Sequence, residues 1–194
     1  MRLGCWPINY KDAHTYLTES LLLYQEIGDR SGVALSYCNL GLVEYLLDNP
    51  HAAYAHLGKS LQILRETDEQ GHLIAVQCTL VPVFLCLNRI SDAQTALVRV
   101  LQLADALAVP SSQVDALLMA GRLAHAQGED ERAATWLGLI ETIGVAKGVQ
   151  TLLLQTLVGE LENALGAERF VQALARGKIL EIAKGVRQAI SKYR

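Results

Sequence analysis

The chain has 194 residues, 51% of them hydrophobic and 19% charged, with a net charge of −3. That composition supplies a buried core and excludes a disordered chain, and the near-neutral balance excludes a strongly basic nucleic-acid-binding body. Leu (34) and Ala (24) dominate while Phe and Trp contribute two each, a composition of strong helix formers.

The segment from Met1 to Tyr10 carries no apolar core of signal-peptide length, and no apolar run approaches the roughly 18 residues of a membrane span. Cys5, Cys38, Cys78 and Cys86 form no C-x-x-C pair; free thiols in a reducing compartment are the simplest account. A soluble cytoplasmic protein with no membrane partner is expected.

A repeat organises the helices. Ala13, Ala53, Ala93 and Ala133 stand 40 apart, and Leu17, Leu57, Leu97 and Leu137 follow each by four. Leu40-Gly41, Leu80-Val81 and Ala120-Gly121 keep the same step, as do Val43, Val83 and Leu123. Each unit reads as two helices. The register puts Met1 in the last turn of a first-unit helix, so the first unit is truncated. The helix near Tyr10–Ile27 then lacks part of its partner and has an apolar edge.

In the second unit a helix over 33–47 ends at Asp48-Asn49-Pro50. Asn49 suits an N-cap and Pro50 the first helical position of a helix running to about Thr67. The third unit carries Pro82 in mid-helix, where a kink is expected. Ser91 with Gln94 makes a capping-box pattern for a helix ending at Ala108. Pro110-Ser111-Ser112 opens the fourth unit, and Glu129-Asp130-Glu131 suits the start of its second helix. Gly41, Ala53, Ala93, Gly121 and Ala133 are small residues placed where paired helices touch. Beyond Gly148 the register fades into helices over 151–165, 167–176 and 180–192. The expected fold is therefore all-α: an α-solenoid of antiparallel helix pairs, with repeats over 1–148 and a C-terminal helical cap over 149–194 packed on the same solenoid.

Leu40-Gly41, Tyr45, Ala53, Leu57 and Ser60 resemble the tetratricopeptide (TPR) signature, with helices longer than in the usual 34-residue repeat. The stretch from Ala13 to Leu21, Glu26-Ile27-Gly28-Asp29-Arg30-Ser31-Gly32, and the closing Leu165-Gly166-Ala167-Glu168-Arg169-Phe170 with Ala173 and Gly177 are similar to long-repeat TPR regions. Those regions occur in bacterial LuxR-type and AfsR-type regulators and in signal-transduction ATPases. The resemblance implies a right-handed superhelix whose first helix in each pair lines a concave groove. It carries the contact positions onto Leu35, Cys38, Leu42 and Tyr45, onto Ala75, Cys78, Pro82 and Leu85, and onto Asp115, Leu118, Arg122 and His125. The same positions also suit inter-repeat core. Of the Lys, Arg and Asn set that grips a C-terminal carboxylate, only Arg122 is matched. The nucleotide-binding and helix-turn-helix modules of those regulators have no counterpart in this chain.

Catalytic and metal motifs are missing: there is no P-loop, no H-E-x-x-H, no paired Cys/His spacing and no G-x-S-x-G. His51 and His56, five apart, do not share a helical face. No catalytic residue, metal or cofactor is expected. The tyrosines are lopsided, with Tyr10, Tyr16, Tyr24, Tyr37, Tyr45 and Tyr54 all in the first two units. Tyr is enriched at interfaces, which makes Tyr10, Tyr16 and Tyr24 candidates for a self-association edge. Residues 176–194 hold six Lys and Arg against Glu181, a net +5. Without interleaved aromatics this reads as a solvated face, and direct nucleic-acid binding is not expected.

The expected function is non-enzymatic protein–protein interaction, as the TPR part of a bacterial signalling or transcriptional regulator. A protein or peptide would be the partner, with homo-oligomerisation through the N-terminal edge. The alternatives are a solenoid sensing a small molecule or peptide near Arg122 and His125, and a structural homo-oligomer or gene remnant.

Overall fold

The computed structural model describes residues 9–67, 70–143 and 149–193. Cys5, the residues assigned to the truncated first helix, the boundary at 148/149 and Arg194 lie outside them. Among the described residues the protein is all-helical. The ten helices are α1 (Tyr10–Glu26), α2 (Arg30–Leu46), α3 (Pro50–Thr67), α4 (Gln70–Cys86), α5 (Ile90–Leu107), α6 (Pro110–Ala126), α7 (Asp130–Ile143), α8 (Val149–Leu165), α9 (Ala167–Lys178) and α10 (Ile182–Tyr193).

The forty-residue step governs where helices start. The odd helices α1, α3, α5 and α7 begin at Tyr10, Pro50, Ile90 and Asp130; the even helices α2, α4 and α6 begin at Arg30, Gln70 and Pro110. Turn chemistry sets this metre. Gly28, Asp48, Asn88, Ala108 and Gly128 all take positive φ, between 50° and 75°, in the left-handed region that stops a helix. Around three of them the amide of the next residue closes a six-to-one turn: Asp29 to the Tyr24 carbonyl, Asn49 to Glu44 and Glu129 to Ala124, at 2.8–2.9 Å. That next residue also stands immediately before the following helix, so each turn is as short as a helical hairpin allows. At Asp29 the side chain accepts from the Gly32 amide at 3.0 Å, an N-cap in geometry and residue type.

Three local expectations change. Ser91 is not the N-cap of α5: Asn88 ends the preceding turn early, Arg89 takes the cap position and Ser91 falls in the first helical turn. Ala108 is the left-handed residue after α5 and not its last helical residue. The helix expected over 167–176 runs through Gly177 to Lys178 as α9, while α4 holds Pro82 within it as expected.

The chain forms two compact units, Met1–Leu87 and Asn88–Arg194. In the first, α2 packs on α1 and α3, α3 packs on α4, and α2 also touches α4. The contacts run antiparallel: Arg30 at the start of α2 pairs with Glu66 at the end of α3, and the Ser60 hydroxyl donates to the Ala34 carbonyl at 2.7 Å. Small residues set the approach. A Cβ on Gly41 would lie 2.6 Å from Leu57 Cγ and 3.2 Å from the Ala53 carbonyl oxygen. Ala53, Leu57, Leu40 and Val83, all repeat positions, are buried here.

In the second unit, α6 packs on α5, α7 and α8, α9 packs on α7 and α8, and α10 lies against α5, α6 and α7. Ala93, Leu97, Ala120, Leu123, Ala133 and Leu137 fill its core at the same repeat positions. The tightest approach lies between α7 and α9. A Cβ on Gly138 would collide with the Leu174 carbonyl, and one on Gly177 with the Thr135 carbonyl, so each helix needs a bare backbone facing the other. Trp136 and Tyr193 close the core with ring centroids 6.2 Å apart.

Candidate functional site

Among the described residues helix α1 has one neighbour, α2. Its sequence places Ala13, Leu17, Leu21 and Tyr24 on one side, at the i, i+4, i+8 spacing of a packed face. Leu21 is buried, and the Tyr24 ring lies over Gly32, where any Cβ would overlap it. His14 Nε2 reaches Glu44 Oε1 across the same contact at 3.1 Å. The rest of the helix is uncovered. Tyr16 is 68% exposed, Leu23 61% and Ile27 74%, and positions i, i+7 and i+11 fall on one stripe. Leu22, also exposed, flanks it. Apolar surface of this kind, gathered on one helix, is what an interaction site presents.

The three tyrosines proposed for this edge do different things. Tyr16 lies in the stripe. Tyr24 is spent within the unit on Gly32, and Tyr10 is half-buried at the helix start. Further along, Tyr37 stacks on His56 with centroids 5.9 Å apart and carries Lys59 Nζ over its face at 5.1 Å. Tyr54 meets Phe84 at 5.6 Å. Much of the tyrosine bias therefore serves helix packing inside the first unit. The sequence reading missed Leu22, Leu23 and Ile27.

The positions carried over from the TPR resemblance fall in both units. In the first, α2 presents Leu35, which is exposed, and Leu42 and Tyr45, which are half-buried; Cys38 is buried. The Cys38 thiol hydrogen-bonds to Thr79 of α4, and burial pushes its pKa up to about 11, so it is an inert packing thiol. On α4, Ala75 is exposed, Cys78 and Leu85 are half-buried and Pro82 is buried. In the second unit, Leu118 of α6 is buried while Asp115, Arg122 and His125 are half-buried. His125 sits between two carboxylates, Nδ1 at 2.7 Å from Asp130 Oδ1 and Nε2 at 3.9 Å from Glu160 Oε2 of α8. Burial raises the Asp115 carboxyl to about 6. In the first unit these positions thus leave Leu35, Leu42 and Tyr45 at least partly exposed, and in the second Asp115, Arg122 and His125, with Cys38, Pro82 and Leu118 beneath the surface.

A second polar feature, in α7, α9 and α10, was not anticipated as a unit. Glu129 accepts from Arg132 and from Lys192 Nζ, the latter at 2.6 Å. Glu131 accepts from Arg169 at 2.6 Å and from Arg176 at 3.1 Å. Apart from Arg132–Glu129, these pairs join residues 38 to 63 apart in sequence. The acidic triplet and the basic closing segment were both visible in the sequence; their meeting was not.

Among the described residues no group of three or more His, Cys, Asp or Glu could hold a metal ion, and no helix is long and apolar enough to cross a membrane. No protein-family model and no curated protein sequence matches the chain.

Proposed function

We propose that this chain is a TPR-like α-solenoid that works as a protein-interaction module, and that the outer stripe of α1 joins two copies of it. The observation that carries this reading is Tyr16, Leu23 and the C-cap residue Ile27 standing exposed along one helix that has a single neighbour among the described residues. A self-complementary stripe brought against its own copy about a two-fold axis buries the same residues twice. Each large apolar side chain removed from water contributes about 1.5–3 kcal/mol. The solenoid reading is supported by the helix starts at forty-residue steps and by the antiparallel packing of consecutive helices in each unit. The module acts by binding alone, with no bond made or broken, and by resemblance it serves a bacterial signalling or transcriptional regulator.

Hydrogen exchange at two protein concentrations tests this. Amides over 10–27 should gain protection as concentration rises from about 1 to 100 μM, with helices elsewhere unchanged. Protection that is the same at both concentrations contradicts self-association; protection that appears only with a second protein makes the partner heterologous.

A second reading rests on the α6–α8 polar face. Asp115, Arg122 and His125 share one side of α6, with Glu160 of α8 facing His125. That arrangement suits a polar small molecule or peptide end, and a ligand bound there would quench hydrogen exchange in α6 and not in α1.

A further inference from the structure

The corner of the second unit built by α7, α9 and α10 holds four cations and two carboxylates. Glu129 is shared by Arg132 and Lys192, and Glu131 by Arg169 and Arg176, which leaves two positive charges in excess. Arg132, Arg176 and Lys192 line one cleft of about 750 Å³ with Gln188, Ser191 and, in its wall, Glu131. Behind it, Trp136 and Tyr193 pack on each other and give the cleft a firm floor. The crossing of α7 and α9 at Gly138 and Gly177 fixes Arg176, the residue before Gly177, against Glu131.

We propose that this cleft binds a compact multivalent anion carrying phosphoryl groups. The sign of the charge fits: a phosphate monoester carries about −1.5 to −2 at neutral pH, opposite to the cations that line the cleft. Two guanidinium forks offer the planar paired donors that suit phosphate oxygens, and Lys192 adds a point charge. Gln188 and Ser191 bring an amide and a hydroxyl to the same wall. The cations are already held by Glu129 and Glu131, but all four pairs are substantially exposed. Exposed pairs are worth little, so a ligand displaces them at small cost. Single-stranded nucleic acid is disfavoured because Trp136 and Tyr193 are both buried and offer no stacking platform.

Isothermal titration with tripolyphosphate, and with citrate as the carboxylate counterpart, tests the site in low salt. One tripolyphosphate should bind per chain, and citrate at least about tenfold more weakly. Arg176→Gln with Lys192→Gln should weaken tripolyphosphate at least about tenfold, while Lys184→Gln with Arg187→Gln should change it less than about twofold. The second pair lies exposed on α10 outside the cleft and removes the same charge, so it separates a site from a general field. Equal losses in the two variants, no binding by the wild type, or citrate bound as tightly as tripolyphosphate would each overturn the proposal. So would anionic vesicles captured through Lys184 and Arg187 without tripolyphosphate competing. Far-ultraviolet circular dichroism on both variants guards against unfolding, and Arg176→Lys, which keeps the charge but not the fork, should show an intermediate loss.

Discussion

Ala108 is the odd residue among those that end the helices. Gly28 and Gly128 take positive φ without steric cost, and Asp48 and Asn88 belong to the types that tolerate it. Ala108 adopts φ 50° with a Cβ that meets the following carbonyl. Ala108→Gly should therefore raise unfolding free energy by about 1 kcal/mol, read by urea denaturation. Gly128→Ala should lower it by a similar amount, since nothing but the backbone resists a Cβ there. The stop at Asp48 was legible in Asp48-Asn49-Pro50 as a break in the apolar pattern. Ala108 was not, because alanine signals helix wherever it stands, and the Ser91 cap failed because it was read without the left-handed residue that precedes it.

Asp115 supplies a test by pH. Burial lifts its folded carboxyl to about 6 from an ordinary 3.8. The folded state then binds more protons than the unfolded state between those values, so stability falls as pH rises from about 4 to 6. Asp115→Asn removes the cost. It should be near neutral in effect at pH 4 and stabilising at pH 8, by on the order of 1 kcal/mol after allowance for the half-covered side chain. An equal effect at both pH values contradicts the assignment.

At the scale of helices, close approach is written in small residues, but only part of it could be read. Gly41 against Ala53 and Leu57, and Gly121 beside Leu157, stand where the forty-residue step puts paired helices. Gly138 and Gly177 carry the tightest crossing; Gly138 escaped notice and Gly177 was read only as part of the closing motif, because α9 lies beyond the register and pairs with α7 across some forty residues. The two cases predict different costs. Gly41→Ala meets mainly a leucine side chain that can shift, and should cost about 1 kcal/mol after its gain in helix propensity. Gly177→Ala meets the Thr135 carbonyl and must push α7 and α9 apart, at about 3 kcal/mol. Thermal unfolding of the two variants should separate them by several degrees.

Across the whole molecule, the periodic sequence declared nearly every helix and the positions of its core. It could not declare which side of α1 is left bare. Leu21, Leu22 and Leu23 point about 100° apart, and three consecutive leucines look the same in any helical pattern. Only the placement of α2 decides that Leu21 is covered while Leu22 and Leu23 face outward. Tyr24 shows the converse, an interface residue by type that is occupied by Gly32. The contacts between Glu129, Glu131 and the basic C-terminal residues were hidden for the same reason, being set by packing and not by spacing.

The central claim is that the α1 stripe joins two copies, and light scattering tests it most directly. The wild type at about 50 μM should give twice the 21.2 kDa of one chain, and Leu23→Glu should give a single chain with unchanged helicity. Tyr24→Glu, on the covered side, should instead lower stability. A wild type that stays at 21.2 kDa, or a Leu23→Glu chain that remains paired, would contradict the account.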